Sequence, residues 1–188
     1  MNPLSKLEEY LSAYGRLVSQ PDIRAKIDRL SKVITDAQLR GNKLLLAGNG
    51  ASAAISSHLA TDFSKQALIR AMSFNDASLI TAFGNDLGYE SWIAKAVEVY
   101  ADAGDILILI SSSGRSPNVI SAAKTAKALG LTVIAFTGFD HSNPLGALGD
   151  MNFWVESHAY NIVECIHMIW LTATCDLIIA SKHDGSVA

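Results

Sequence analysis

The chain has 188 residues, of which 49% are hydrophobic and 18% are charged, and this predicts one globular domain with a sizeable buried core. Its formal net charge is −3 at pH 7 and no basic tract occurs, which argues against nucleic acid as the main partner. No apolar run follows a basic start, so no secretory signal is expected.

Two helices are predicted before the first strand, over 3–19 and 21–40, and each begins at a proline. Apolar strands then alternate with helices, a pattern typical of a parallel sheet that helices cover on both faces. The tail from Lys182 to Ala188 is expected to fray. The elements between are predicted as strand 43–47, helix 52–66, strand 70–74, helical segments within 76–101, strand 105–111, helix 116–129, strand 131–137, a loop, strand 151–155 and helix 160–181.

The first helix carries an apolar stripe with charges opposite, which favours burial against another copy of the chain and hence a symmetric homo-oligomer. Packing within the same subunit is the alternative, because an amphipathic pattern does not say what covers its apolar face. The stripe consists of Leu4, Leu7, Leu11, Tyr14 and Val18.

The last predicted helix is very apolar, but its stretch from Ile166 to Ala180 is interrupted by polar residues such as His167. The stretch is therefore expected to be too short and too polar to span a bilayer. Cys165 and Cys175 are ten residues apart in this helix, too far to pair, and are expected to be reduced core thiols of a cytosolic protein.

The most informative stretch, Ser111-Ser-Ser-Gly-Arg-Ser116, lies between a predicted strand and a predicted helix. Such a turn presents backbone N–H groups, hydroxyl donors and the positive end of a helix dipole at one point, which is typical of a phosphate site. An ordinary serine-rich turn is the alternative, since small residues are also good turn and cap formers.

A second such turn, Gly48-Asn-Gly-Ala-Ser52, follows strand 43–47. Its glycines permit positive φ and close backbone approach, but it lacks the ending of a P-loop and the third glycine of the dinucleotide fingerprint, so no nucleotide cofactor is expected. The carboxyl ends of parallel strands share one edge, where open α/β folds bind their ligands. Together the two turns predict a site for a phosphorylated small molecule.

At these residues the chain resembles the SIS (sugar isomerase) family, and within it the phosphoheptose isomerases, from about residue 40 to 178. The resemblance implies a flavodoxin-like three-layer α/β sandwich with a five-stranded parallel sheet, preceded by N-terminal helices. It implies a single SIS domain over 1–188, in which 1–40 is a helical extension used in oligomerisation. The stretches that carry it are Gly48-Asn-Gly-Ala-Ser52, His58-Leu-Ala-Thr-Asp62, Gly84-Asn-Asp-Leu-Gly88 and Ser111-Ser-Ser-Gly-Arg-Ser116.

The resemblance also implies a function. Family members convert sedoheptulose 7-phosphate to glycero-manno-heptose 7-phosphate, the first step toward the heptose of lipopolysaccharide, as homotetramers with active sites between subunits. The phosphate would be held by the serines, while Asn49 and Asp86 would contact the sugar hydroxyls. The predicted substrate-binding residues are Asn49, Gly50, Ser52, Asp86, Ser111, Ser112, Ser113 and Ser116.

The chain departs from the family pattern at two places. Asp62 stands where the family has a catalytic, metal-contacting Glu, and His58 matches its zinc-binding His. In the last helix the family has a functional Gln and a later His. One register places Val163 and Leu171 at these positions and the other places Glu164 and Thr172 there, so the later His is absent in both.

Interconverting a ketose and an aldose needs a base, an acid and stabilisation of an enediolate. His58 and Asp62, four apart, share a helix face, as do Glu164 and His167, three apart. Two helices that each present a carboxylate and an imidazole would offer zinc its N and O ligands. The predicted catalytic residues are Asp62, Glu164 and His167, and the predicted metal ligands are His58, Asp62 and Glu164.

Each of these residues also has a purely structural interpretation: His58 as a hydrogen-bonding partner near a turn, Asp62 as a solvated carboxylate, and His167 as a core histidine. Glu164 lies in an apolar helix, where an unpaired carboxylate is costly, so it is expected to face a pocket or a partner.

Four further polar residues are candidates for the site or for the surface. His158 is a second candidate for the missing acid, and Arg115 a candidate phosphate contact or a solvated side chain. Lys65 and Arg70 are interpreted as surface charges.

The sequence therefore predicts a cytoplasmic phosphosugar isomerase with zinc as its expected metal, and the resemblance implies a homotetramer. The alternatives are a non-catalytic tetramer that binds a protein partner such as a replication initiator, as one relative in the subfamily does, or an isomerase of another sugar phosphate.

Overall fold

The fold is an α/β sandwich built on a parallel five-stranded sheet, and the computed structural model describes residues 3–183. The strands are β1 (Leu44–Gly48), β2 (Ala71–Ser73), β3 (Ile106–Ser111), β4 (Thr132–Thr137) and β5 (Met151–Trp154). The helices are α1 (Pro3–Val18), α2 (Ile23–Leu39), α3 (Ala51–Lys65), α4 (Ala77–Leu87), α5 (Trp92–Tyr100), α6 (Pro117–Ala128), α7 (Pro144–Leu148) and α8 (Tyr160–His183).

The strand order is β2-β1-β3-β4-β5 and every neighbouring pair is parallel, which confirms the predicted flavodoxin-like sheet. The chain passes from β1 outward to β2 and then back across to β3. As a result the turns that follow β1 and β3 are neighbours, because Gly48 at the end of β1 pairs with Ile110 near the end of β3.

Two apolar layers cover the two faces of the sheet, because successive strand residues point to opposite sides. On one face Leu44 and Leu46 pack with α2, α3 and α8, and on the other Leu45 and Ala47 pack with α5 and α6. The strand residues Leu44–Gly48 and Ile106–Ser111 are buried throughout, as expected of a sheet covered on both faces.

The apolar stripe of α1 is divided between two environments. Tyr14 and Val18, near its C-terminal end, pack against the core of the same chain, whereas Leu4, Leu7 and Leu11 are at least half exposed. Packing within the subunit therefore covers the C-terminal end of the stripe, and the N-terminal end is exposed to solvent in a single subunit.

Two sequence predictions about other elements need correction. The region after β4 was predicted as a loop, but Asn143 and Pro144 start the short helix α7, in which the Asn143 side chain accepts a hydrogen bond from Gly146 N. Cys165 is exposed and only Cys175 is buried. The predicted fraying from Lys182 onward falls largely outside the described residues.

The apolar stretch Ile166–Ala180, predicted to be too short and too polar to span a bilayer, lies within a longer apolar helix. Its segment Tyr160–Lys182 has 23 residues and a mean hydropathy of 1.7, and by length and composition alone it is able to cross a bilayer. Half of its most apolar window is buried inside the fold, and the buried Trp170 donates to Val18 O at 3.0 Å. In this structure α8 is a core helix.

An ion-pair network joins β1 and β3 at the amino edge of the sheet. Lys43 Nζ lies 2.6 Å from Asp105 Oδ2 and 2.6 Å from Asp102 Oδ2, and the Asp105 side chain is only 1% exposed. Asp105 also accepts hydrogen bonds from Lys43 N and Asp102 N. Burial by itself raises the pKa of Asp105, but these contacts outweigh it and hold the pKa below its ordinary value of 3.8.

We expect Asp105→Asn to lower the free energy of unfolding by about 3 kcal/mol, because it leaves Lys43 beside a buried neutral group. The stability due to this carboxylate is present above the unfolded pKa and is lost as pH falls through the lowered folded pKa. The difference between variant and wild type in urea unfolding should therefore shrink as the solution is acidified.

The matched control is Asp28→Asn, which breaks an exposed ion pair with Lys32 at 2.8 Å. This variant should change the free energy of unfolding by less than about 1 kcal/mol. Equal effects of the two substitutions at neutral pH would contradict a special role for Asp105.

Candidate functional site

The first turn of the site follows β1 and depends on the absence of a side chain at Gly48. A Cβ at this position would lie 2.6 Å from the Cβ of Ser52 and 2.8 Å from Ile110 O, so the start of α3 sits directly against the ends of β1 and β3. Gly50 then has φ of 55°, in the left-handed region that favours glycine. The turn therefore brings the buried Ser52 to the carboxyl edge of the sheet.

The second turn follows β3 and leads into α6. Gly114 has φ of 62°, and a Cβ there would overlap the side chain of Asn143. Asn143 is buried and donates to Thr137 Oγ1 and Asp140 O, so it is held firmly against this turn. The segment after β4, for which the sequence indicated no role, therefore supports the serine turn.

The two turns meet in one small, partly open cavity of about 120 Å³, called here the serine pocket. The arrangement on one edge of the sheet agrees with the sequence prediction, while phosphate binding there stays a prediction. The residues that line the serine pocket are Asn49, Ser52, Ile110, Ser111, Ser112, Ser113, Ser116, Tyr160 and Glu164.

The donors of the serine pocket are hydroxyl and amide groups at the starts of two helices. Ser111 Oγ and Ser116 Oγ lie 3.3 Å apart, and Ser112 Oγ is buried without a hydrogen-bond partner among residues 3–183. No lysine or arginine is among the lining residues of this part of the chain. Hydroxyls together with the positive ends of α3 and α6 are suited to an anion of about phosphate size.

Glu164 contributes the carboxylate of the serine pocket, as the sequence anticipated for a glutamate inside an apolar helix. It extends from the first turn of α8, which reaches the same edge of the sheet as the two turns. Desolvation raises the pKa of Glu164 above its ordinary value of 4.5. A carboxyl group next to an anion site is thereby available for proton transfer.

The predicted metal ligands do not converge within one subunit. His58 Nε2 lies 3.1 Å from Asp62 Oδ2, but neither residue lines the serine pocket that contains Glu164. Asp62 follows Ser52 by ten residues, about 15 Å along the axis of α3. Within residues 3–183 no group of three His, Cys, Asp or Glu side chains is placed to hold a metal ion. The donor set does not fit zinc in this subunit, and zinc stays a prediction.

The structure does not support His167 as a catalytic residue. The side chain is fully buried, Nε2 lies 3.0 Å from Thr137 O, and the ring contacts Phe136 edge-on. Burial lowers the pKa of His167 to about 4, which keeps the imidazole neutral at pH 7. His167 is therefore a core histidine, held at the end of β4 through Nε2, while its buried Nδ1 has no hydrogen-bond partner among residues 3–183.

Arg115 and His158 both lie near Asp140, outside the serine pocket. Arg115 Nη2 contacts Asp140 Oδ2 at 3.1 Å, and His158 Nε2 is 4.0 Å from Asp140 Oδ1. Arg115 is therefore engaged by a carboxylate rather than by the serine pocket. The exposed Lys65 and Arg70 agree with their interpretation as surface charges.

Asp86 lies apart from the serine pocket. It is exposed on α4, where Oδ1 accepts a hydrogen bond from Asn85 Nδ2 at 2.8 Å. Its assignment as a contact for the sugar is thus not supported by the lining of the cavity in a single subunit.

A second cavity adjoins the serine pocket, with which it shares Asn49 and Ser116, and is called here the outer groove. It has a volume of about 400 Å³ and opens to solvent. Sequence reasoning missed Tyr89 and Glu90, although they directly follow the Gly84–Gly88 motif. The outer groove is lined by Asn49, Tyr89, Glu90, Ser116, Pro117 and Asn118.

A larger cavity, of about 690 Å³, lies beside β5 and contains none of the predicted binding residues. Its wall includes Lys26, His141 and Trp154 but neither of the glycine and serine turns. The serine pocket is smaller, yet it combines the two helix starts with convergent donors, and we take it as the functional site for that reason.

Comparison with known proteins places the chain among proteins with an SIS domain. A sequence model of the SIS domain matches residues 9–138. The chain is 36% identical over 158 residues to the phosphoheptose isomerase of Aliarcobacter butzleri, covering 81% of this chain and 83% of that protein. It is also 33% identical over 160 residues to the DnaA initiator-associating protein DiaA of Edwardsiella ictaluri, covering 81% and 82% of the two chains.

The solved structure of phosphoheptose isomerase GmhA from Neisseria gonorrhoeae has a similar fold. It matches with a TM-score of 0.87 and 27% sequence identity, covering 95% of this chain and all of that chain.

We expect Gly48→Ala to weaken the binding of inorganic phosphate at least about tenfold in calorimetry. The added Cβ has no space between Ser52 and the backbone at Ile110, so the first turn must move away from the second. Gly15→Ala is the control, because nothing lies within 4 Å of a Cβ at Gly15 in α1. Unchanged phosphate binding in the Gly48 variant would contradict the role given to this close approach.

Proposed function

The chain belongs to the SIS domain family and is an isomerase, and we propose that it converts sedoheptulose 7-phosphate to D-glycero-D-manno-heptose 7-phosphate. The observation that carries the proposal is the convergence of Ser52 with the serines of the second turn in one small pocket at two helix starts. This product would supply the heptose of lipopolysaccharide.

The phosphate ester of the substrate would occupy the serine pocket. A phosphate dianion accepts hydrogen bonds from hydroxyl and amide N–H groups, and the positive ends of α3 and α6 add a favourable field. The volume of about 120 Å³ suits the phosphate group and leaves the carbon chain of a heptose outside. The outer groove and the surface near Tyr160 are the adjoining spaces for that chain.

The isomerisation moves one proton between neighbouring carbons and another between their oxygens, through an enediolate. Of the two carboxylates predicted as the base, Glu164 lines the serine pocket while Asp62 pairs with His58 away from it. We therefore assign proton transfer to Glu164. No step is assigned to His167 or to a metal ion.

The proposed assembly is a cytoplasmic homotetramer with the sites between subunits. It is supported by the exposed leucines of α1, Leu4, Leu7 and Leu11, and by exposed apolar residues of α8 such as Ile169 and Leu177. A neighbouring subunit on these faces would remove apolar surface from water.

The second candidate function is a non-catalytic protein that binds a protein partner such as a replication initiator. The similarity to a DnaA initiator-associating protein favours it. A second observation is that Leu171 and Thr172 occupy the two registers of the later His in α8. An isomerase of another sugar phosphate is the third reading.

We expect Ser113→Ala combined with Ser116→Ala to weaken binding of sedoheptulose 7-phosphate by about 1–3 kcal/mol. The two substitutions remove hydroxyl donors to a charged phosphate. Calorimetry measures the change, and Ser78→Ala on the exposed surface of α4 is the control. Equal affinities of the double variant and the wild type would remove the phosphate assignment.

Turnover of sedoheptulose 7-phosphate, measured with and without zinc, tests the proposed reaction. We expect turnover in the wild type, a loss of about 100-fold or more in kcat in Glu164→Gln, and a small effect in Asp62→Asn. Because the pKa of Glu164 is raised and the carboxylate form is the base, wild-type kcat should fall with acidification through a pKa above 4.5. Absence of turnover in the wild type under both conditions would favour the second candidate function, and full activity of Glu164→Gln would exclude Glu164 as the base.

A further inference from the structure

A pair of side-chain amides joins the two turns of the site. Asn49, in the turn after β1, donates from Nδ2 to Asn118 Oδ1 at 3.0 Å. Asn118, in the first turn of α6, donates from Nδ2 to Asn49 Oδ1 at 2.8 Å. The two residues are 69 positions apart in the chain, and the reciprocal pair fixes the distance between the turns.

Tyr89 adds a third element to this pair. Its phenol O–H, from the connection between α4 and α5, donates to Asn49 Oδ1 at 2.9 Å. Asn49 Oδ1 thus accepts hydrogen bonds from both Tyr89 and Asn118, which occupies the two lone pairs of a carbonyl oxygen. Asn118 Oδ1 is similarly occupied, since it also accepts from Val119 N at 3.0 Å.

These hydrogen bonds determine what Asn49 is able to offer a ligand. A side-chain amide nitrogen carries two N–H groups, and the pair with Asn118 uses one of them. The remaining polar capacity of the Asn49 side chain is therefore a donor and no longer an acceptor. Asn49 lines both the serine pocket and the outer groove, so a ligand that extends from one to the other must pass it.

We propose that Tyr89 is a positioning residue that fixes Asn49 as a hydrogen-bond donor, and that the part of the sugar phosphate leaving the serine pocket presents an acceptor oxygen to Asn49. Tyr89 itself is more than half exposed and lines the outer groove, so its phenol is held by Asn49 rather than by core packing. The inference rests on the proposed function in one respect, namely that the ligand is a phosphorylated sugar bound in the serine pocket.

The test is a double-mutant cycle of Tyr89→Phe and Asn49→Ala, with binding of sedoheptulose 7-phosphate measured by calorimetry. We expect Tyr89→Phe to raise Kd about tenfold, since Asn49 loses one of the two bonds that orient it. Asn49→Ala should raise Kd at least as much. In the Asn49→Ala background, Tyr89→Phe should change Kd by less than about twofold, because its effect is transmitted through the missing amide.

Tyr100→Phe is the matched control, because the ring of this tyrosine on α5 lies tilted against Phe74, with ring centroids 5.9 Å apart, and does not line either cavity. It should leave Kd unchanged. Thermal unfolding of each variant, measured in parallel, should shift by similar small amounts in Tyr89→Phe and Tyr100→Phe, which separates positioning from general stability.

The inference is overturned if Tyr89→Phe leaves Kd unchanged, or if it raises Kd equally with and without Asn49. Loss of turnover with binding retained counts against the proposed reaction only, because the double-mutant cycle measures the Kd of the sugar phosphate and not its conversion. Absence of binding to the wild type overturns the inference together with the proposed substrate.

Discussion

The close approach at Gly48 is the constraint on which the site depends. The end of β1, the end of β3 and the start of α3 meet at this residue with no space for a methyl group. Two helix starts can surround one anion only if the strands that lead into them are adjacent and their turns are tight. The sheet order satisfies the first condition, and the glycines at 48, 50 and 114 satisfy the second.

Stability and function are placed at opposite edges of the same sheet. At the amino edge, Lys43 and Asp105 form an ion pair that the surrounding backbone N–H groups complete, so the buried charge has its partners. At the carboxyl edge, Ser112 Oγ is buried without a partner among the described residues, and a desolvated Glu164 lies nearby. Polar groups that the fold itself does not satisfy are those available to a ligand.

Local patterns predicted the sheet and the serine pocket well, because the relevant information is carried by short stretches. Apolar runs identify the buried strands, and a serine or glycine turn after each run identifies the binding edge. The predicted metal ligands do not meet within one subunit, because a spacing of four places His58 and Asp62 on one helix face but does not fix their distance from Glu164. Tyr89 was missed because its partner Asn49 is 40 residues away in the chain. The burial of His167 was not predictable, because a buried imidazole and a catalytic one look alike in sequence.

The phosphate anchor does not by itself separate an isomerase from a binding protein, since both uses need only the serine turns and the helix dipoles. What separates them is the presence of groups that move protons beside the anchored ligand. In a single subunit Glu164 is the carboxylate in that position, whereas the described imidazoles lie elsewhere: His58 pairs with Asp62, and His167 is enclosed in the core. Isomerisation requires protonation at oxygen as well as removal of a proton from carbon, so a second proton-transfer group is needed. The phenol of Tyr160 also lines the serine pocket and is the nearest candidate in the same subunit, and water or the ligand itself are the other sources. In the proposed assembly a neighbouring subunit would be a further source.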